Sequence, residues 1–152
     1  MNTEEYEQIT IDFPDAGGYT TNVWFREFDG EHIAVKQCSR RIWETAILPG
    51  RERCAALGIP TIPISSVVLT SEYAYWQEPV VVTLADEAVS RHHLLAGLRL
   101  RNAAKAANVG DLVPDNLAVH DGRVVILDTG YQYDAIIEER VIDEWQVRLK
   151  RD

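Results

Sequence analysis

A loop and the strand pair that follows it constrain this chain more than any other feature. The loop reads Gly110-Asp111-Leu112-Val113-Pro114-Asp115-Asn116-Leu117, and Asp128-Thr129-Gly130 follows twelve residues after Asn116. An aspartate and an asparagine thus stand at the two ends of one loop, and a second aspartate enters from the end of a strand. Carboxylate and amide oxygens arranged in this way suit a proton acceptor beside one or two Mg²⁺ ions. The pattern indicates a site for phosphoryl transfer from ATP.

The strands around this loop are predicted from local signals. The segments 117–119 and 124–127 are short apolar runs, and Asp121-Gly122 between them is a turn signal. A hairpin here would bring Asn116, at the start of its first strand, close to Asp128, at the end of its second. Taken singly, each aspartate is typical of turns and strand ends and needs no function. The ordered set on one hairpin favours a shared metal.

The same residues resemble the protein-kinase-like phosphotransferases. The nearest pattern is that of the aminoglycoside and choline phosphotransferases and the lipopolysaccharide-core (Kdo) kinases, whose loop reads roughly His-Gly-Asp-Leu-His-Pro-x-Asn before a strand that ends in Asp-x-Gly. The matching positions are Gly110, Asp111, Leu112, Pro114, Asn116, Asp128 and Gly130. Two positions depart from it: Val109 and Val113 stand where the family usually has histidines.

The resemblance implies an α+β chain with a two-lobed, kinase-like fold. Residues 1–78 would form a nucleotide-binding lobe with an antiparallel sheet and one helix, and residues 79–152 a much reduced helical lobe. ATP and Mg²⁺ would be the cofactors. Asp111 would be the catalytic residue, and Asn116 and Asp128 would hold the metal.

The N-terminal part can be matched to the same template. Gly17-Gly18 lies in a turn that would cover the phosphates, and Ala34-Val35-Lys36 resembles the strand element that places a lysine on them. Alone, the glycines suit any hairpin turn and Lys36 suits any exposed strand edge. Their order along the chain, ahead of a helix, further strands and the loop at Asp111, favours the functional interpretation.

The template also needs a helical glutamate that pairs with Lys36, and the sequence offers two. Glu52 lies sixteen residues after Lys36, nearer the spacing usual in the family. Glu44 suits the geometry better if the helix, capped by Ser39, turns back at once. We expect Glu44 to be the partner, with Pro49-Gly50 interrupting the helix, although either glutamate could simply lie on an exposed helix face.

The main departure from the family is the short C-terminal part. Only one helix, over residues 135–150, is expected after Gly130, with apolar positions at Ile136, Ile137, Val141, Ile142, Trp145 and Leu149. The helices that bind the acceptor in the family have no counterpart in the sequence. Two hypotheses follow: an ATP-dependent phosphotransferase acting on an unidentified hydroxyl, or an inactive kinase-fold module that binds a protein partner. A homodimer could supply the missing acceptor surface.

Composition narrows the classes of partner. The net charge of −9 disfavours nucleic acid and anionic membranes as main partners, despite the arginines of the segment from 91 to 105. Cys38 and Cys54 match no ligand motif or disulfide framework. No apolar run is long enough for a membrane span, and we expect a cytoplasmic protein.

Overall fold

The computed structural model describes Glu4 and residues 21–151. The predicted Gly17-Gly18 turn lies outside the described residues. The chain divides into two compact units, the first comprising residues 1–45 and 63–80 and the second residues 46–62 and 81–152. The predicted lobes, 1–78 and 79–152, differ from these units mainly because residues 46–62 group with the second unit.

The first unit is built on a four-stranded antiparallel sheet. Its strands are β1 (Thr21–Phe28), β2 (Glu31–Ser39), β3 (Ser65–Leu69) and β4 (Tyr73–Pro79), in the order β1-β2-β4-β3. Asp29 and Gly30 form the first turn with positive φ angles of 51° and 79°, as a tight hairpin requires. Trp24, Val35 and Tyr75 form the core of this sheet.

The helix after β2 begins where the sequence predicts. Ser39 caps it, because the hydroxyl accepts a hydrogen bond from the Ile42 amide at 3.1 Å. The helix consists of α1 (Arg40–Ile42), a π-helical turn (Trp43–Ile47) and α2 (Leu48–Ala56). The expected interruption at Pro49-Gly50 is wrong: proline occupies the first turn of α2, where no amide donor is needed, and the irregular turn precedes it.

The second unit has a three-stranded antiparallel sheet in the order β5-β6-β7. The strands are β5 (Val82–Thr83), β6 (Leu117–His120) and β7 (Arg123–Ile126), and the main helices besides α2 are α3 (Arg91–Ala104) and α4 (Ala135–Lys150). Short 3₁₀ turns cover Lys105–Ala107 and Pro114–Asn116. The antiparallel sheets and segregated helices confirm the α+β class.

The buried face of α4 differs from the expected one. Trp145 is 2 % exposed and donates a hydrogen bond from Nε1 to the carbonyl of Leu112 at 2.8 Å. Glu138 and Arg148 are also buried, whereas Ile136 and Ile142 are exposed. The helix therefore buries a stripe that includes two charged residues, and leaves two of the predicted apolar positions in solvent. Among the described residues, no helix has the length and apolarity needed to cross a membrane.

Candidate active site

The predicted hairpin is present and carries the loop motif at its base. Leu117 lies opposite Ile126 in the β6–β7 ladder, and Asp121 and Gly122 turn the chain with φ angles of 50° and 75°. The Leu127 amide donates a hydrogen bond to the Asn116 carbonyl at 2.9 Å. The main chain of Asn116 is therefore tied to the residue directly before Asp128.

The asparagine also fixes the start of the loop. Asn116 Nδ2 donates to the Asp111 carbonyl at 2.8 Å, and Asp111 has a positive φ of 55°. Because this bond uses the amide nitrogen, it sets the orientation of the side chain, and no described residue donates to its Oδ1 atom. The oxygen of Asn116 is left available for an electrophile such as a metal ion.

Two residues of α4 bind Asp111, and neither was among the predicted site residues. Arg140 Nη2 forms an ion pair with Asp111 Oδ1, while Glu138 Oε1 accepts a hydrogen bond from the Asp111 amide at 3.3 Å. Glu138 Oε2 in turn pairs with Arg101 Nη2 at 2.6 Å. The side chain of Arg140 is 61% exposed, whereas those of Asp111, Arg101 and Glu138 are largely buried. A charge network from two helices thus surrounds both the backbone and the carboxylate of Asp111.

A charged residue on the apolar stripe of a helix is the signal that could have revealed Glu138. It lies three residues before Val141 and seven before Trp145, so it shares their face. A carboxylate at such a position needs a buried partner, because an unpaired buried charge is strongly unfavourable. The identity of that partner depends on tertiary packing and could not be read from the chain.

Hydrogen bonds and close packing also hold the segment that carries Asp128. Asp128 Oδ1 accepts a hydrogen bond from the Gly130 amide at 2.7 Å, and the buried Thr129 hydroxyl donates to the Ile47 carbonyl at 3.0 Å. A Cβ placed on Gly50 would lie 2.2 Å from the Thr129 carbonyl oxygen. The start of α2 therefore contacts this segment so closely that only glycine fits.

The two valines that replace the usual histidines are core residues. Val109 is 1% and Val113 9% exposed, and both belong to the main apolar cluster of the second unit. Apolar side chains suit these positions because the sites are dry. The polar contacts that organise the loop come instead from Asn116 and Glu138.

In the first unit, Lys36 has a different partner from the one expected. Lys36 Nζ pairs with Glu78 Oε1 at 2.8 Å, and Glu44 pairs with Arg40 at 2.7 Å. The predicted ion pair between Lys36 and Glu44 is therefore wrong. The reason is the sheet register: Ala34 lies opposite Glu78, which places Lys36 and Glu78 diagonally on neighbouring strands.

The alternative helical partner, Glu52, is exposed on α2. Glu78 is 4% exposed at its side chain, and its second oxygen, Oε2, accepts a hydrogen bond from Trp76 Nε1 at 2.7 Å. The end of β4 thus carries the carboxylate that pairs with Lys36.

The donor set at the hairpin suits a hard cation. Asn116 and Asp128 offer one amide oxygen and one carboxylate, the ligand types that Mg²⁺ prefers. Within residues 21–151 there is no cluster of three or more histidine, cysteine, aspartate or glutamate side chains that could hold a metal alone. Mg²⁺ at nucleotide sites commonly takes only one or two protein ligands and completes its shell with phosphates and water.

Comparisons with known proteins give similarities to solved structures only. No protein-family model matches the chain, and no curated protein matches it. Among solved structures, the chain is similar to Rad53 1–466 in complex with AMP-PNP, with a TM-score of 0.47 and 20% sequence identity. The match covers 84% of this chain and 42% of that one, so the chain spans less than half the length of its neighbour. A similarity of this degree does not determine activity, ligands or residue roles.

Proposed function

We propose that the chain has a kinase-like fold and is an ATP- and Mg²⁺-dependent phosphotransferase that moves the γ-phosphoryl group to a hydroxyl. The bonding that ties the loop at Asp111 to the hairpin at Asp128 carries this proposal. Asn116 makes that link with both its main chain and its side chain. A proton acceptor and two oxygen ligands held on one local unit are what the reaction requires.

Each residue has a role in this proposal. Asp111 accepts or orients the proton of the acceptor hydroxyl, and Asn116 and Asp128 hold Mg²⁺. The metal, when bound, would neutralise charge on the phosphates. Lys36 binds the phosphates of ATP, with Glu78 rather than Glu44 as the carboxylate that positions it. The Gly17-Gly18 turn covers the nucleotide.

A cavity in the second unit is our candidate for the acceptor site. It has a volume of about 340 Å³ and lies between the loop residues Pro114 and Asp115 and the α4 residues Arg140, Asp143 and Glu144. Arg140 connects it with the proposed base, because the same side chain pairs with Asp111. For Oδ1 of Asp111 to accept a proton, Arg140 has to turn away, and its side chain is exposed enough to move.

The Arg140–Asp111 ion pair also favours a second candidate function. If Arg140 stays on Asp111, it occupies Oδ1 and restricts the approach of an acceptor, and the chain would be an inactive kinase-fold module that acts through a protein partner. The pairing of Lys36 with Glu78 is equally compatible with a purely structural role. The two candidates differ in whether Asp111 supports turnover.

Slow transfer of the γ-phosphoryl group to water distinguishes them without knowledge of the acceptor. Under single-turnover conditions with Mg²⁺-ATP, we expect hydrolysis that falls at least about a hundredfold in Asp111→Asn, the low end for a positioned base. Asp121→Asn is the matched control, because Asp121 lies in the hairpin turn with an 87% exposed side chain. Equal rates in both variants, or no hydrolysis by the wild type, would favour the binding module.

A further inference from the structure

The second unit has a groove on the side of α3 that none of the proposed catalytic residues lines. One part, with a volume of about 400 Å³, is lined mainly by Val82, Ala88, Val89 and Val119. The other part, with a volume of about 420 Å³, lies between α3 and the β6–β7 turn. His93 lines both parts, so they adjoin. The groove is long enough to offer separate places for an apolar and a charged group.

The charged residues that line the second part are all basic. Its floor is apolar, with Ala96, Leu100 and Val124, and its charged lining residues are Arg99 and Arg123 without any carboxylate. Both arginines are exposed, and neither guanidinium has an ion pair or hydrogen bond with another described residue. An arginine fork can bind a carboxylate through two parallel hydrogen bonds, so these two side chains suit an acidic group that lies beside an apolar one.

One wall of the groove is held in place by His93. Its ring contacts Ser90 Oγ at 3.2 Å through Nδ1 and the Gly122 carbonyl at 3.3 Å through Nε2. These contacts connect the first turn of α3 with the turn of the β6–β7 hairpin. His93 thus links the helix to the hairpin along one wall of the groove.

The rest of the molecule decides what kind of anion can approach. The chain has a net charge of −9, so an extended polyanion such as nucleic acid or an anionic bilayer would meet repulsion outside the groove. A short acidic segment touches only the local basic patch, and at physiological salt charges beyond about 8 Å are largely screened from it. The two-part groove also offers an apolar pocket, which a free small anion would not use.

From these observations we propose that the groove binds an acidic peptide segment of a protein partner. An apolar side chain of the segment occupies the part at Val82 and Val119, and its carboxylates face Arg99 and Arg123. The proposal does not depend on phosphotransferase activity, since none of the residues proposed for that reaction lines the groove.

Selection from a random peptide library displayed on phage, with the full chain as bait, tests this directly. We expect enrichment of peptides that combine aspartate or glutamate with an apolar residue. Enriched peptides, synthesised with a fluorophore, should bind in anisotropy titrations and weaken as salt rises from about 0.05 to about 0.5 M. The Arg99→Glu/Arg123→Glu variant should bind them at least about tenfold more weakly, because two attractive contacts become repulsive.

Two further variants separate local contacts from general charge. Arg41→Glu/Lys150→Glu changes the net charge equally at exposed positions that do not line the groove and should bind like the wild type. Ala103→Glu places a carboxylate in the groove at an exposed helix position with only a small loss of helix propensity, and should weaken binding.

The proposal is overturned if enriched peptides have no excess of acidic residues, or if the Arg99→Glu/Arg123→Glu variant binds them as tightly as the wild type. If inorganic phosphate displaced the peptides at a concentration equal to that of the peptide, the groove would be a small-anion site instead. Tighter binding of single-stranded DNA or of phosphatidylserine vesicles, lost in the same variant, would also contradict it. Thermal unfolding of each variant ensures that weak binding reflects the groove and not loss of the fold.

Discussion

At the scale of single residues, the candidate base is defined by charges from outside its own loop. Glu138 accepts a hydrogen bond from the Asp111 amide and pairs with Arg101, whose Nε is buried without a partner among the described residues. The solvent-exposed side chain of Arg140 contacts the carboxylate of Asp111. The buried contacts hold the backbone of the loop with its positive φ angle. The exposed contact covers one oxygen of the carboxylate.

This difference predicts unequal effects on stability. Glu138→Gln should lower the free energy of unfolding by about 2–4 kcal/mol, because it leaves the buried guanidinium of Arg101 without its counter-charge. Arg140→Ala should cost less than about 1 kcal/mol, as is usual for an exposed pair. Urea unfolding measures both, with the exposed neighbour Glu139→Gln as the control. Similar losses for Glu138→Gln and Glu139→Gln would show that the buried network does not support the loop.

At the scale of elements, the packing of α2 against the segment at Asp128 is the closest contact of the candidate site. Gly50 in α2 lies against the main chain of Thr129, and Thr129 is bonded to Ile47. The main chain cannot rotate out of the way as a side chain can. This contact therefore fixes the course of the chain just after Asp128.

Gly50→Ala tests this contact. In an exposed helix the change would stabilise by about 1 kcal/mol, because alanine is the better helix former. Here we expect a net loss of about 1–3 kcal/mol in the free energy of unfolding, from the clash with the Thr129 carbonyl. Gly97→Ala in α3 is the comparison, since its nearest atom is a methyl group of Leu84. A stabilised Gly50→Ala protein would contradict the observed packing.

The elements also show how far the sequence could predict the structure. The Asp121-Gly122 hairpin and the Ser39 cap were predictable, because turn and cap signals act within a few residues. The partner of Lys36 was not, since it depends on the register of two strands that are distant in sequence. The contribution of α4 to the site could not be predicted either, because the buried face of a helix depends on the surface against which it packs. The apolar pattern wrongly placed Ile136 and Ile142 on that face.

At the scale of the whole molecule, each unit contains one buried cysteine. Cys38 lies in the first unit and Cys54 in the second, and neither forms a disulfide. Burial raises the pKa of Cys54 above its ordinary value of 9.0, while Arg53 and Arg51 act weakly in the opposite direction. The two thiols can therefore report separately on the unfolding of the two units.

The raised pKa of Cys54 predicts a dependence of stability on pH. The unfolded chain loses this thiol proton first, so the stabilising contribution is complete below about pH 9 and is lost as the pH rises towards the pKa of the folded state. Urea unfolding of the wild type and of Cys54→Ala at increasing pH measures it. The wild type should lose more stability than the variant above pH 9, and parallel curves would contradict the prediction.

We propose that Asn116 and Asp128 hold the Mg²⁺ ion of a nucleotide-binding site. Calorimetric titration of Mg²⁺-ATP into the wild type and into Asp128→Ala tests it most directly, with ATP in excess EDTA as the control for the metal. We predict binding to the wild type that requires Mg²⁺ and is lost in Asp128→Ala, while the thermal stability of the variant shows that it is folded. Absence of binding to the wild type in the millimolar range, or equal binding by the folded variant, would contradict the claim.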